Sequence, residues 1–355
     1  MKLEPRKTCR ICDSKNLTKI ISLGDQHIAA YTPKESDPEP ILEKFPLELV
    51  RCKKTDCGLV QLLHSTPTDI LYERYFYRSG INQTMTENLK EIVDQAILKV
   101  DVAENDIVLD IGCNDGSLLD FFKIKGCKTV GIEPTGAALE SKHPTINEYF
   151  DKRSAYQVLS LTGKPDLIVF TNVFAHIEDL QSLINNLKIL SQDNTKIVIE
   201  NHYLGAVFNG GQFDTFYHEH PRTYSFRSFE FIAQSLEVNV LDAEFVSRYG
   251  GNIRVYLGVG DKKQLDIDES HFSSAFIKSS ENSNFLLSVS EVFCINRPFL
   301  IDISSGSLII FSKSFFTLSI LSCNSFDIFS ELNFKFFQLS ISVSIALILS
   351  FLFID

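Results

Sequence analysis

The chain has 355 residues, 44% of them hydrophobic, a formal net charge of −11 and no tryptophan. That length holds two domains, or one domain with additions. The acidic balance argues against a nucleic-acid partner, because no basic field gathers phosphates.

The start, Met1-Lys2-Leu3-Glu4-Pro5-Arg6-Lys7, is polar and has no apolar signal core, so a cytoplasmic protein is expected. Eight cysteines in a reducing compartment are not expected to form disulfides. Residues 1–65 carry two cysteine pairs, Cys9-Arg10-Ile11-Cys12 and Cys52-Lys53-Lys54-Thr55-Asp56-Cys57. Each pair presents two thiolates from one tight turn. Together Cys9, Cys12, Cys52 and Cys57 supply the four sulfur ligands of a closed tetrahedral zinc site. A closed site holds no reactive water, so this zinc is expected to be structural, with Lys7, Arg10, Lys53 and Lys54 offsetting its charge. Pro38 and Pro40, among Glu35, Asp37 and Glu39, read as a surface loop.

Residues 66–104 read as a helical bridge. Tyr72, Tyr75, Phe76 and Tyr77, beside Arg74 and Arg78, admit two readings: core packing, or a lid over a sugar-phosphate ligand. Thr86 to Val100 is patterned as an amphipathic helix, with Leu89, Ile92, Val93, Ala96 and Ile97 on one side.

The central stretch is Val108-Leu109-Asp110-Ile111-Gly112-Cys113-Asn114-Asp115-Gly116. An apolar run, a glycine turn and a helix starting at Ser117 form the front of a nucleotide-binding βαβ unit. The spacing is D-x-G-x-x-x-G, not the dinucleotide G-x-G-x-x-G. Asn114 and Asp115 fill the turn, and an acidic turn suits a ligand with a cationic amino-acid end, such as S-adenosylmethionine. Glu133, closing the run Thr129–Ile132 about 20 residues on, stands where an acid accepts both ribose hydroxyls. A helix is expected around Gly136 to Ser141 and a strand through Ile146 to Phe150. Asp151 then either meets an adenine amino group or makes a simple turn. Asp166 to Phe170 is a fourth strand, placing Asn172 and His176 beyond its carboxyl end, where the methyl donor should lie. His176 reads equally as a structural residue. Lys196 to Asn201 is a fifth strand. Five alternations point to an α/β, doubly wound parallel sheet.

The stretch Gly210 to Pro221 places His218, Glu219 and His220 together. The spacing is wrong for the H-E-x-x-H metal helix, and Pro221 disfavours helix at His220. A carboxylate orienting an imidazole makes a general base near neutral pH; the other reading is a polar turn that carries two histidines.

The two cysteine pairs, the D-x-G-x-x-x-G core and the string Gln212-Phe213-Asp214-Thr215-Phe216-Tyr217-His218-Glu219-His220 together resemble the S-adenosylmethionine-dependent sugar C-methyltransferases. That family acts on nucleotide-linked keto-deoxysugars. The stretch Tyr249-Gly250-Gly251-Asn252-Ile253-Arg254-Val255 is similar to the family's G-G-S-x-R, with Asn252 in place of the usual Ser. The resemblance runs from residue 9 to about 260. It implies a class I methyltransferase (Rossmann-like) core at 105–260 behind a zinc-binding lobe. It further implies a cofactor pocket of Asp110, Gly112, Gly116, Glu133 and Asn172, and a reaction centre of His176, Tyr217, Glu219 and His220, with His220 the base and Glu219 its orienter. The substrate implied is a nucleotide sugar. Other readings are an O- or N-methyltransferase, a remnant that binds S-adenosylmethionine without turnover, and a zinc-ribbon interaction protein.

Family members continue into a further α/β domain. Here residues 261–355 read as a truncated or aberrant C-terminal region, which from about His271 onward turns to Ser, Phe, Ile and Leu with scarcely any Gly or charge. The run Leu339 to Phe353 is shorter than the roughly 20 residues a membrane helix needs. A weak membrane anchor is one reading. Translation of an A/T-rich gene out of frame is preferred.

Overall fold

A computed structural model describes residues 3–29, 43–54, 57–72, 77–210 and 212–261, with 265 and 267. All lie in the compact unit Met1–Ser290. The expectations for the tail after 267, for the Pro38–Pro40 loop and for Arg74, Tyr75 and Phe76 fall outside the described residues.

Three antiparallel strands build the N-terminal lobe: β1 (Leu17–Gln26), β2 (Phe45–Cys52) and β3 (Val60–Leu62). Leu47, Leu49, Val60 and Leu62 form an apolar cluster that also takes in Leu204 from beyond the large sheet's last parallel strand. The bridge holds α1 (Thr68–Tyr72) and α2 (Gln83–Val100). The Asn82 side chain caps α2 by accepting from the Met85 amide, and Asp101 ends it in the left-handed region. Leu89, Ile92, Val93, Ala96 and Val100 bury the stripe that the 3.6-residue spacing predicts.

The core follows as β4 (Ile107–Ile111), α3 (Ser117–Ile124), β5 (Lys128–Ile132), β6 (Thr145–Ile146), α4 (Lys152–Thr162), β7 (Leu167–Thr171), α5 (Leu180–Leu190), β8 (Lys196–His202) and α6 (Leu204–Gly210). The chain ends its described course through β9 (Arg222–Thr223), α7 (Phe226–Ser235), β10 (Asn239–Val246) and β11 (Asn252–Gly258). The large sheet has the order β10-β11-β8-β7-β4-β5-β6. Its strands from β8 through β6 are parallel. Alternation along β4 sends Leu109 and Ile111 to the apolar face shared with α4, α5 and α7, and Val108 to the face covered by α2 and α3. After β6 the chain crosses to the other side of β4, so a switch point opens between β4 and β7, above the carboxyl ends of the parallel strands.

Three details differ from the sequence expectation. Gly136–Glu140 is a 3₁₀ turn rather than a helix. The strand expected over Ile146–Phe150 is only two residues long, because Asn147 leaves the sheet to donate to the carbonyls of Glu133 and Thr135 at 2.8 and 2.9 Å. An antiparallel hairpin, β10–β11, extends the sheet beyond β8. Every residue of β11 is buried, yet Asn252 and Arg254 interrupt its apolar run. A buried polar network hides this strand from a hydrophobicity pattern.

The lobe and the core also share a sheet. β9, only two residues after His220, pairs with β3 and completes the small sheet in the order β1-β2-β3-β9.

Candidate active site and zinc centre

A cavity of about 380 Å³ opens at the switch point. On one side lies the turn after β4. Gly112 has φ +77°, and a Cβ there would run into the Val173 side chain, so glycine is required for this close approach. Its amide donates to the Ile132 carbonyl at 2.8 Å. Glu133, at the end of β5, is clamped by backbone: Oε2 accepts from the Asn114 amide at 3.0 Å and Oε1 from the Thr135 amide at 2.8 Å. Each oxygen keeps a lone pair for a hydroxyl donor. Asp110 lines the same wall, and burial, with the Glu133 charge, pushes its carboxyl up to about 8. A cationic ligand group beside it offsets that burial. Gly116, at φ +81°, lies behind the wall against Ser141 and His143. Asn172 lines the cavity at φ 53°, its Oδ1 accepting from Asn252 Nδ2 at 3.1 Å.

One acid of this region departs from expectation, and another takes one of its two expected roles. Asp115 does not present its carboxylate to the cavity. Oδ1 accepts from the Ser117 amide and hydroxyl at 3.1 and 2.6 Å, and Oδ2 from the Gly80 amide at 2.9 Å. With Asn114, which binds Ser79 and Tyr77, it pins the bridge to the turn. Asp151 caps α4 through a reciprocal box with Ser154, so the turn reading holds there, while its neighbours Tyr149 and Phe150 line the cavity.

The opposite wall gathers side chains from separate segments. His176 follows β7, His202 ends β8, and Tyr217, Glu219 and His220 come from the string before β9. The His220 ring lies 4.8 Å from that of His176 and 5.3 Å from that of His202, centroid to centroid. Its Nδ1 is 3.0 Å from the Thr215 carbonyl. A carbonyl only accepts, so Nδ1 carries the proton and Nε2 is the lone-pair nitrogen. The Tyr217 hydroxyl donates to that Nε2 at 2.9 Å. Burial, then the neighbouring His176 and His202, hold His220 well below the usual histidine range. His176 is likewise lowered to about 4 by burial, and Tyr72 meets its Nδ1 at 2.8 Å. The wall therefore carries neutral imidazoles at neutral pH.

The orienting acceptor of His220 is thus the Thr215 carbonyl, in place of the Glu219 carboxylate expected from the sequence. Glu219 faces the cavity, and among the described residues no side chain or amide bonds it. Burial pushes it up to about 7. His218 points elsewhere, against Phe45 of the lobe, whose carbonyl lies 3.2 Å from its Nε2. Sequence reasoning missed His202 and Tyr249, both on the cavity wall. His202 was discoverable, since it ends a parallel strand at the sheet's carboxyl edge.

In the lobe, the ligand atoms of Cys9, Cys12, Cys52 and Cys57 lie within 4.8 Å of one another, two pairs at 3.6 Å. A tetrahedron with sulfur about 2.3 Å from zinc has edges of about 3.8 Å. Backbone amides aim at Cys9, Cys52 and Cys57 sulfur, as thiolate ligands need. The residues fit structural zinc. Arg10 does not offset the thiolates: its guanidinium is buried and engages Glu178, Ser65 and three carbonyls. Among the described residues no helix is long and apolar enough to cross a membrane.

Residues 76–242 match the family described as "Methyltransferase domain", and residues 9–72 match the "Putative zinc binding domain". The chain thus carries a methyltransferase domain behind a zinc-binding domain. It is 26% identical over 258 residues to the C-methyltransferase NovU of Streptomyces niveus, covering 72% of this chain and 61% of that one. It therefore spans less than two thirds of that relative's length. Solved methyltransferases resemble it distantly. The magnesium protoporphyrin IX methyltransferase ChlM of Synechocystis PCC 6803 is 12% identical, with a TM-score of 0.37 over 49% of this chain and 79% of that one. An S-adenosylmethionine-dependent methyltransferase of Clostridium acetobutylicum is 14% identical, with a TM-score of 0.39 over 50% and 92%.

Proposed function

We propose that this methyltransferase adds a methyl group to carbon, beside the ketone of a nucleotide-linked keto-deoxysugar. The observation that carries this reading is the neutral His220, its tautomer set by Thr215 and its Nε2 capped by Tyr217, on the wall of the Asp110 and Glu133 cavity. Carbon methylation needs a base, because the carbon must lose a proton before it is a nucleophile. The name of the NovU relative supports the same class.

Asp110 would hold the ammonium of S-adenosylmethionine, Glu133 its ribose hydroxyls, and the Gly112–Gly116 turn and Asn172 its amino-acid end. When bound, the cofactor supplies a methyl group activated by its sulfonium. Tyr217 takes the proton from the carbon beside the ketone as it hands its own to His220 Nε2, leaving the electron pair on the sugar as an enolate. Glu219, with an acidity near neutral, shares a proton with the ketone oxygen. His176, fixed by Tyr72, keeps a neutral ring against His220 and so does not oppose its protonation. The enolate carbon would then be the nucleophile for that methyl, the electron pair of the broken carbon–sulfur bond staying on the donor's sulfur. Base catalysis of this kind contributes typically 10²–10⁴-fold. We further place the chain in the cytoplasm, where the cysteines of the zinc site stay reduced.

The test is mass spectrometry of a nucleotide 4-keto-deoxysugar incubated with the enzyme and S-adenosylmethionine in heavy water. One methyl gained on carbon is expected. A methyl on oxygen or nitrogen, with no deuterium uptake at carbon, overturns the reading.

A further inference from the structure

Two arginines outside the cavity wall reach both segments that carry the clustered imidazoles. Arg222, buried in β9 two residues after His220, donates to the carbonyls of Phe174, Ala175, Ile177 and Glu178. Those carbonyls bracket His176. Arg10 sits inside the first cysteine pair, yet its guanidinium leaves the lobe. It bonds Glu178 Oε1 at 2.9 Å, the Pro221 carbonyl at 3.4 Å, and the carbonyls of Leu62 and His64 at 3.3 Å. Glu178 also accepts from Ser65 at 2.5 Å and Arg6 at 3.2 Å.

We infer that Arg10 and Arg222, joined through Glu178, are positioning residues that set the His176 and His220 rings against each other. The inference rests on the proposed reaction for its kinetic consequence, but not for its geometry. The loop around His176 lies outside the strands, so its carbonyls need donors from elsewhere, and the Pro221 carbonyl accepts both the Leu62 amide and Arg10. A guanidinium offers five donors in a rigid fork, enough to tie several carbonyls of one loop at fixed spacing. A lysine keeps the charge and cannot span the same set. Phe174 anchors the loop from beneath, edge-on to Phe170 at 5.1 Å and tilted against Tyr224 at 5.6 Å, which leaves the polar side of the loop to Arg222. Arg10, a side chain of the first zinc knuckle, therefore ties the lobe to the reaction centre. Displacement of a reacting group by about 1 Å can lower a rate about 100-fold.

The experiment compares Arg10→Lys, Arg222→Lys and the milder Glu178→Gln with wild type, each as the full zinc-loaded chain. Expected are a kcat for methyl transfer lower by about 10- to 100-fold, with KM for the sugar, Kd for S-adenosylmethionine and zinc content within about twofold. Imidazole ¹⁵N resonances of His176 and His220, recorded without any sugar, should move in all three variants. Unmoved resonances overturn the inference whatever the acceptor turns out to be. Parallel loss of cofactor binding and zinc in the two lysine variants, with Glu178→Gln unchanged in kcat and resonances, also overturns it, since the arginines would then only hold the fold. A wild-type enzyme that fails to methylate the sugar, with resonances moving in the variants, defeats the proposed reaction and leaves the positioning role standing.

Discussion

The two walls of the cavity are made in different ways. The wall with Asp110, Gly112 and Glu133 comes from two adjacent strand ends and is fixed by backbone amides, each less than 3.2 Å from its acceptor. The wall with His176, His202, Tyr217 and His220 comes from three separate segments and is fixed mainly by side chains and by carbonyls of irregular backbone. The first is rigid because the sheet is rigid. The second depends on contacts that single substitutions can remove, so binding and turnover should be separable by mutation.

The sharpest test of that separation is His220→Ala. Methyl transfer should fall by about 10²–10⁴-fold while calorimetry gives a cofactor Kd within about twofold of wild type. Unchanged turnover would remove His220 from the role of base. Next in size is the converse, Asp110→Ala, which takes away the buried partner of a cation. Cofactor Kd should rise by about 10- to 100-fold, as for a charged hydrogen bond of about 1.5–3 kcal/mol, and saturating cofactor should restore most of kcat.

A smaller effect is readable as protons. Asp110 is pushed up to about 8 when the cavity is empty, and a bound cation favours its ionised form, so binding releases a proton below that pH. Affinity should rise with pH toward 8 and level off above it. Titration calorimetry at pH 7 in buffers of different ionisation enthalpy should show release of up to one proton. The opposite wall titrates with stability instead of affinity. His176 is lowered to about 4 and is near 6.5 when unfolded. The unfolded chain therefore binds more protons between those values, and stability declines as pH falls from 6.5 toward 4, by at most about 1.4 kcal/mol per pH unit for this residue. Chemical denaturation at pH 7.5 and 5.5 measures it, and His176→Asn should flatten the difference.

The same contrast explains what the sequence disclosed. Asp110, Gly112 and Glu133 lie on one βαβ unit, so their spacing along the chain is already their spacing in space. The Cys pairs were legible for the same reason: each knuckle is a local turn. Tyr217 and His220 are also local, three positions apart, and the string drew attention to them. Their partners were not legible. Thr215 acts through its carbonyl, which no residue type signals. His202 lies one position past the strand end read from the sequence, and Glu178 and Arg10 meet only because the lobe folds back on the core. Strand β11 was hidden because Asn252 and Arg254 both donate to Glu200 inside the sheet, an arrangement that looks polar in sequence and is buried in space.

Strand β9 has a consequence for the order in which the molecule is made. The lobe's third strand ends at Leu62, and the strand that flanks it begins at Arg222, about 160 positions later. During synthesis, the zinc knuckles can close as soon as Cys57 has emerged, but one edge of the small sheet stays open until nearly the whole core has been translated. An open edge is a site for wrong pairing between nascent chains. The lobe thus cannot be cut away as an independent module without exposing that edge, and a core expressed without it would lose β3, the strand that Arg222's own strand pairs with.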